Sequence, residues 1–125
     1  MTDQTGETTA APAPAGPYTP ALRVGGWLIC SGQLGVRDGA LVDGLAPQVT
    51  QALANVDALL RADGATLANV VKTTVFLTDI GDYATMNEAY VAAFGDHRPA
   101  RSAIAVAALP RGGRGEIEAW AGSGV

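Results

Sequence analysis

The chain has 125 residues, 48% hydrophobic and 16% charged, with a net charge of −4 and one cysteine. This length folds as a single domain around one ordinary core, and the composition excludes fibrous and wholly disordered classes. Seven arginines and one lysine are scattered along the chain, which excludes a broad phosphate-binding track, and no nucleic-acid partner is expected. A lone Cys30 excludes an intrachain disulfide framework and fits a reducing, cytoplasmic setting.

Residues 1–15 are rich in threonine, alanine and proline and lack both the basic start and the apolar run of a secretory signal. They read as a disordered N-terminal tail, followed by one domain over 16–125. No apolar run approaches the roughly 20 residues that cross a bilayer, so no membrane partner is expected. Leu22 to Val24 and Trp27 to Leu34 flank Gly25-Gly26 and predict a hairpin, while Asp38-Gly39 predicts a type I′ turn in a second, smaller one. From Pro47 to Ala62, Val49, Leu53, Val56 and Leu60 recur at helical spacing, with Gly64 suited to the left-handed position beyond the end. Thr66 to Asn69 predicts a single turn. Val70 to Leu77 then alternates as a strand. A second helix is predicted from Asp82 to Phe94, with Tyr83, Met86, Tyr90 and Phe94 along one side and Gly95 as its stop. Ala103 to Ala108 and Glu116 to Ala121 predict two last strands. The order implies an α+β fold, a mixed sheet with both helices on one face. The other face is left for self-association.

The residues most suggestive of chemistry lie near the C-terminus. Arg101 opens the Ala103 to Leu109 apolar run, and guanidinium grips a carboxylate through two parallel hydrogen bonds. Glu116 and Glu118 are two apart, so on a strand they share a face, and either could orient or deprotonate a water. Lys72 is a candidate partner for one of them. Gly32, in Ser31-Gly32-Gln33, would let a ligand approach the backbone, and its N–H could meet a carboxylate. Plain structural alternatives stand beside each: Arg101 caps a strand end, the glutamates are solvated, Gly32 marks a bulge. Arg98 is expected to face solvent, Cys30 to be an inert core residue, and His97, the only histidine, has no companions for a zinc site. No serine sits in a nucleophile-elbow pattern, and no phosphate-cradling glycine motif precedes a helix.

Six segments, in order, resemble the RidA (YjgF-like) family of reactive-intermediate deaminases. They are Gly16-Pro17-Tyr18, Ser31-Gly32-Gln33, Val71 to Leu77, Ala84-Thr85-Met86-Asn87, Pro99-Ala100-Arg101-Ser102 and Glu116-Ile117-Glu118-Ala119. The resemblance covers residues 16–121. It implies a chorismate-mutase-like α+β fold, a homotrimer with intersubunit clefts, and no cofactor or metal. It also implies an activity, hydrolysis of reactive enamines and imines such as 2-aminoacrylate to a 2-oxo acid and ammonium. On that likeness Arg101 grips the substrate carboxylate and Glu116 handles the attacking water. Gly32 supplies a backbone donor, and Tyr18, Ser31 and Asn87 line the cleft. Arg101 and Glu116 are expected to converge from neighbouring strands on one crevice.

The chain departs from the family pattern in two places. Gly115 stands where a branched apolar residue is usual and is expected to loosen the start of the last strand. The Gly95 to Arg98 loop is short and is expected to reshape the pocket rim. Ala103 replaces a cysteine carried by some relatives. A non-catalytic module that binds a small carboxylate, a relative acting on a pathway-specific imine, and a ribonuclease are the competing readings. The acidic balance speaks against the last.

Overall fold

A computed structural model describes residues 11–122; of the tail expected over residues 1–15, residues 1–10 lie outside the described residues, as do the last three residues of the chain. In chain order the elements are β1 (Ala21–Val24), β2 (Trp27–Leu34), β3 (Val36–Arg37), β4 (Ala40–Leu41), α1 (Leu45–Arg61), β5 (Val70–Leu77), α2 (Tyr83–Phe94), β6 (Ala100–Ala105) and β7 (Gly115–Gly122). Five strands form one mixed sheet in the order β1-β2-β7-β5-β6, and β3 pairs with β4 as a separate hairpin. Among the described strands only β5 and β6 run parallel, joined through α2. The last strand inserts between β2 and β5, antiparallel to both.

Local chemistry explains the turns. Gly25 at φ 58° closes β1 onto β2, while Asp38 and Gly39 at φ 53° and 81° make the type I′ turn between β3 and β4. Gly64 at φ 84° takes the left-handed position after α1, and the Ala65 N–H reaches back to the Leu60 carbonyl at 2.9 Å. Thr66 and Asn69 form a reciprocal capping box around the predicted single turn.

The core lies between one sheet face and the two helices. α1 buries Val49, Leu53, Val56 and Leu60, and α2 buries Met86, Tyr90 and Phe94. The sheet answers with Leu28, Cys30, Val75, Leu77, Ile117 and Ala119. Burial pushes the Cys30 thiol up to about 12, in keeping with an inert core residue. Two polar side chains in the α1 stripe act as tethers. Asn55 donates to the Leu34 and Val36 carbonyls at 3.1 and 3.0 Å, and Gln48 accepts from the Arg114 N–H at 2.8 Å. They fix the strand carrying Gly32 and the turn that leads into Glu116.

Among the described residues, no helix covers the opposite face of the sheet. Leu22, Val24, Trp27, Ile104 and Trp120 are each 40–54% exposed there. Trp27 and Trp120 meet edge-to-face, with ring centroids 6.1 Å apart. Among the described residues, no helix is long and apolar enough to cross a membrane.

Candidate active site

Strand register decides where the chemical groups point. Arg101 on β6 is the partner of Thr73 on β5, whereas Glu116 on β7 is the partner of Phe76. Thr73 and Phe76 are three apart on one strand, so they face opposite ways. Arg101 therefore points to the helix side and Glu116 to the open side. β5 lies between their strands. The expected convergence from neighbouring strands does not occur within one chain. β6 also begins three residues earlier than its apolar run suggests, since pairing with β5 starts at Lys72 and Ala100.

The open-face half is built around a bulge. Cys30 pairs with Ala119 and Gln33 with Ile117, so Ser31 and Gly32 together oppose the single Glu118. The bulge reading of Gly32 holds, and the Glu116 side chain packs closely against it. A Cβ built on Gly32 would lie 2.9 Å from the Glu116 Cδ. The Ser31 hydroxyl donates to the Thr19 carbonyl at 2.7 Å and its N–H to the Pro20 carbonyl at 2.8 Å. These bonds seat the segment carrying Tyr18, whose hydroxyl accepts from the Ala15 N–H at 3.3 Å. Tyr18, Ser31, Gly32, Glu116 and Glu118 line one cavity of about 840 Å³, and residues 12–15 form part of its wall.

Glu116 is half-buried, and this desolvation, with the Glu118 charge adding to it, raises its carboxyl above the ordinary glutamate range. Lys72 shares this face, but its ammonium donates to the Ser102 hydroxyl at 2.8 Å rather than to either glutamate. Gly115 is a buried, ladder-paired residue opposite Leu77 with Leu45, Leu77 and Val49 around it. The strand start is thus paired in the ladder at Gly115, with the three side chains each 3.7 Å from where its Cβ would stand.

The helix-face half is built around Arg101. Its Nη2 donates to the Tyr83 hydroxyl at 3.0 Å, its Nη1 reaches the Met86 sulfur at 3.7 Å, and its Cζ lies 4.8 Å from the Tyr90 ring centroid. Arg23, Arg61 and Arg114 each pair with an aspartate, whereas Arg101 makes no ion pair among the described residues. Asn87 follows Met86 on α2, and its Oδ1 is buried without a hydrogen-bond partner among the described residues. The short loop below is tied by the His97 Nε2–H to the Val70 carbonyl at 2.6 Å. Arg98 is exposed, as expected, and donates to the Gly95 and His97 carbonyls. Sequence reasoning placed Tyr83, Met86 and Tyr90 on one side of the helix but missed their role around Arg101. The signal was their i, i+3, i+7 spacing.

The family model described as Endoribonuclease L-PSP matches residues 8–122. The chain belongs to the RidA (YjgF-like) family. It is similar to the 2-iminobutanoate/2-iminopropanoate deaminase of Bos taurus, 48% identical over 120 residues that cover 94% of this chain and 88% of the relative. RidA from an Antarctic Psychrobacter superposes with a TM-score of 0.88 at 43% identity, over 96% of this chain and 99% of that one. E. coli TdcF, solved with bound serine, superposes with a TM-score of 0.86 at 36% identity, over 93% and 95%. These superpositions match the mixed α+β architecture with its two helices and mostly antiparallel sheet.

Proposed function

We propose that this chain is an imine deaminase that hydrolyses small 2-imino acids to 2-oxo acids and ammonium, at sites formed between copies of itself. The observation that carries the reading is Arg101, a half-buried guanidinium held in place yet left without a carboxylate among the described residues. A cation so placed fits a carboxylate supplied from outside the chain. The names of the relatives support the imino-acid class.

Arg101 and Glu116 face apart in one chain, so a shared site requires a second copy. The uncovered apolar sheet face supports such an assembly, and a homotrimer of the chorismate-mutase-like kind closes the ring. In it, one copy brings Arg101 and the unsatisfied Asn87 oxygen against its neighbour's Tyr18, Ser31, Gly32 and Glu116. The substrate carboxylate sits between the guanidinium and the Gly32 N–H. Glu116 takes a proton from water as the water oxygen bonds to the C=N carbon, and the π electron pair moves to nitrogen. Glu116 returns that proton to nitrogen. The resulting carbinolamine then breaks its C–N bond, passing its hydroxyl proton to the leaving nitrogen, and releases a 2-oxo acid and ammonia, which is ammonium at neutral pH. The polarised imine carbon asks only for positioning and proton handling, and a carboxyl raised toward neutral pH suits the second.

The test is competition for imines that an amino-acid oxidase generates from several amino acids in the presence of semicarbazide. Wild type diverts the imine to 2-oxo acid. Arg101→Ala, losing a bidentate contact worth on the order of a few kcal/mol, falls by at least about 10²-fold. Arg98→Ala keeps most activity. Equal rates for wild type and Arg101→Ala refute the proposal. Binding without turnover is the second reading, favoured by the serine in TdcF, and calorimetric binding with no accelerated ammonia release would support it. RNA cleavage gains no support from a net charge of −4 and a single histidine whose Nε2 is engaged with Val70.

A further inference from the structure

Arg101 is the one cation that lies over aromatic rings among the described residues, at 5.5 Å from the Tyr83 centroid and 4.8 Å from the Tyr90 centroid. We propose that Tyr83, acting together with the Tyr90 ring on Arg101, is a positioning residue that sets the direction in which Arg101 offers its guanidinium to a carboxylate. This rests on the imine-deaminase reading for the identity of the ligand, and on the contacts below for the role itself.

The Tyr90 wall runs through three elements. Tyr90 is 3% exposed and its hydroxyl hydrogen-bonds the Thr73 hydroxyl at 2.7 Å. Thr73 is fully buried and is also the register partner of Arg101. β5, α2 and β6 thus close a ring that fixes one wall against the guanidinium. Tyr83 forms the other wall. It is 43% exposed, and its hydroxyl accepts from Nη2 at 3.0 Å.

The chemistry of the acceptor matters. A carboxylate at position 83 would pair with Arg101 and occupy the charge meant for a substrate. A phenol hydroxyl in place of a carboxylate directs Nη2 through a hydrogen bond rather than an ion pair. Arginine otherwise loses considerable rotamer freedom on gripping an anion, and a guanidinium already held loses less. Two rings add cation–π attraction that restrains the group while leaving its in-plane donors available.

Tyr83→Phe keeps the ring and removes only the hydrogen bond, at a half-exposed position where the fold does not depend on it. The experiment measures KM and kcat for 2-iminopropanoate generated in situ, and calorimetric Kd for pyruvate, on wild type and variant. KM and Kd are expected to rise together by about three- to ten-fold, with kcat within about twofold and the melting temperature unchanged. Tyr83→Leu, which also removes the ring, should raise both further. Wild-type KM and Kd in Tyr83→Phe overturn the inference and leave the deaminase reading standing. A fall in kcat with unchanged Kd overturns it too, since the hydroxyl would then serve the chemistry. If wild type binds pyruvate but accelerates no hydrolysis, the deaminase reading fails, and the Kd comparison still decides the role of Tyr83. If wild type neither binds nor hydrolyses, both fall.

Discussion

Alanine at position 32 would place a methyl carbon 2.9 Å from the Cδ of Glu116 and 3.1 Å from its Cγ and Oε1. Carbon atoms at rest lie about 3.5–4.0 Å apart, so the carboxyl must retreat by roughly 0.5–1 Å. Gly32 lies outside the left-handed region, so the substitution adds no backbone strain. The group that yields is the end of a flexible, half-buried side chain, and the cost to the fold should stay below about 1 kcal/mol. Catalysis is less forgiving, because a misplacement of about 1 Å can cost about 10²-fold. Gly32→Ala is therefore expected to lose roughly 10- to 100-fold in the imine-hydrolysis assay while melting within a few degrees of wild type. Full activity would refute the assignment of Glu116 to water handling. A loss of activity that merely tracked unfolding would refute the geometric argument.

Four further substitutions test neighbouring parts of the structure. Burial and the Glu118 charge raise the Glu116 pKa, so the folded state holds a proton that the unfolded chain has already released. The group therefore weakens the fold as pH rises from the unfolded pKa through the folded one. Glu116→Gln should abolish activity yet melt higher than wild type at neutral pH, a gain that disappears in acid; equal melting curves at all pH values would contradict this. Glu118→Gln removes the like charge, so the acid limb of the pH–rate profile should move to lower pH; a static limb would leave desolvation as the whole cause. At Gly35 an added Cβ would meet the backbone of α1, 2.5 Å from the Gln48 Cα, so Gly35→Ala should destabilise by about 1–3 kcal/mol in urea unfolding. Gly115→Ala meets only ordinary contacts at 3.7 Å and should stabilise by about 0.4–1 kcal/mol.

Much of the fold was legible because it rests on local signals. The apolar stripe from Val49 to Leu60, the Gly25-Gly26 and Asp38-Gly39 turns and the alternation over Val70 to Leu77 each name their own structure. The start of β6 was not legible. An alanine-rich run has no edge of its own, and pairing with β5 sets it. Insertion of β7 between β2 and β5 is a non-local pairing that no stretch of sequence announces. The site was legible residue by residue but not as geometry. Two-residue spacing puts Glu116 and Glu118 on one face, but the face Arg101 takes relative to them depends on the parity of register carried through β5.

Complementation between two inactive variants tests the shared-site claim most directly. Arg101→Ala and Glu116→Ala would be purified separately, mixed in equal amounts, unfolded together and refolded, and assayed against each variant refolded alone. A site built from the Arg101 of one copy and the Glu116 of another is intact in about a quarter of random pairings, so the mixture should recover about one quarter of wild-type activity. Activity no greater than that of the separate variants, in mixtures shown to contain hybrid assemblies, would contradict a site shared between copies.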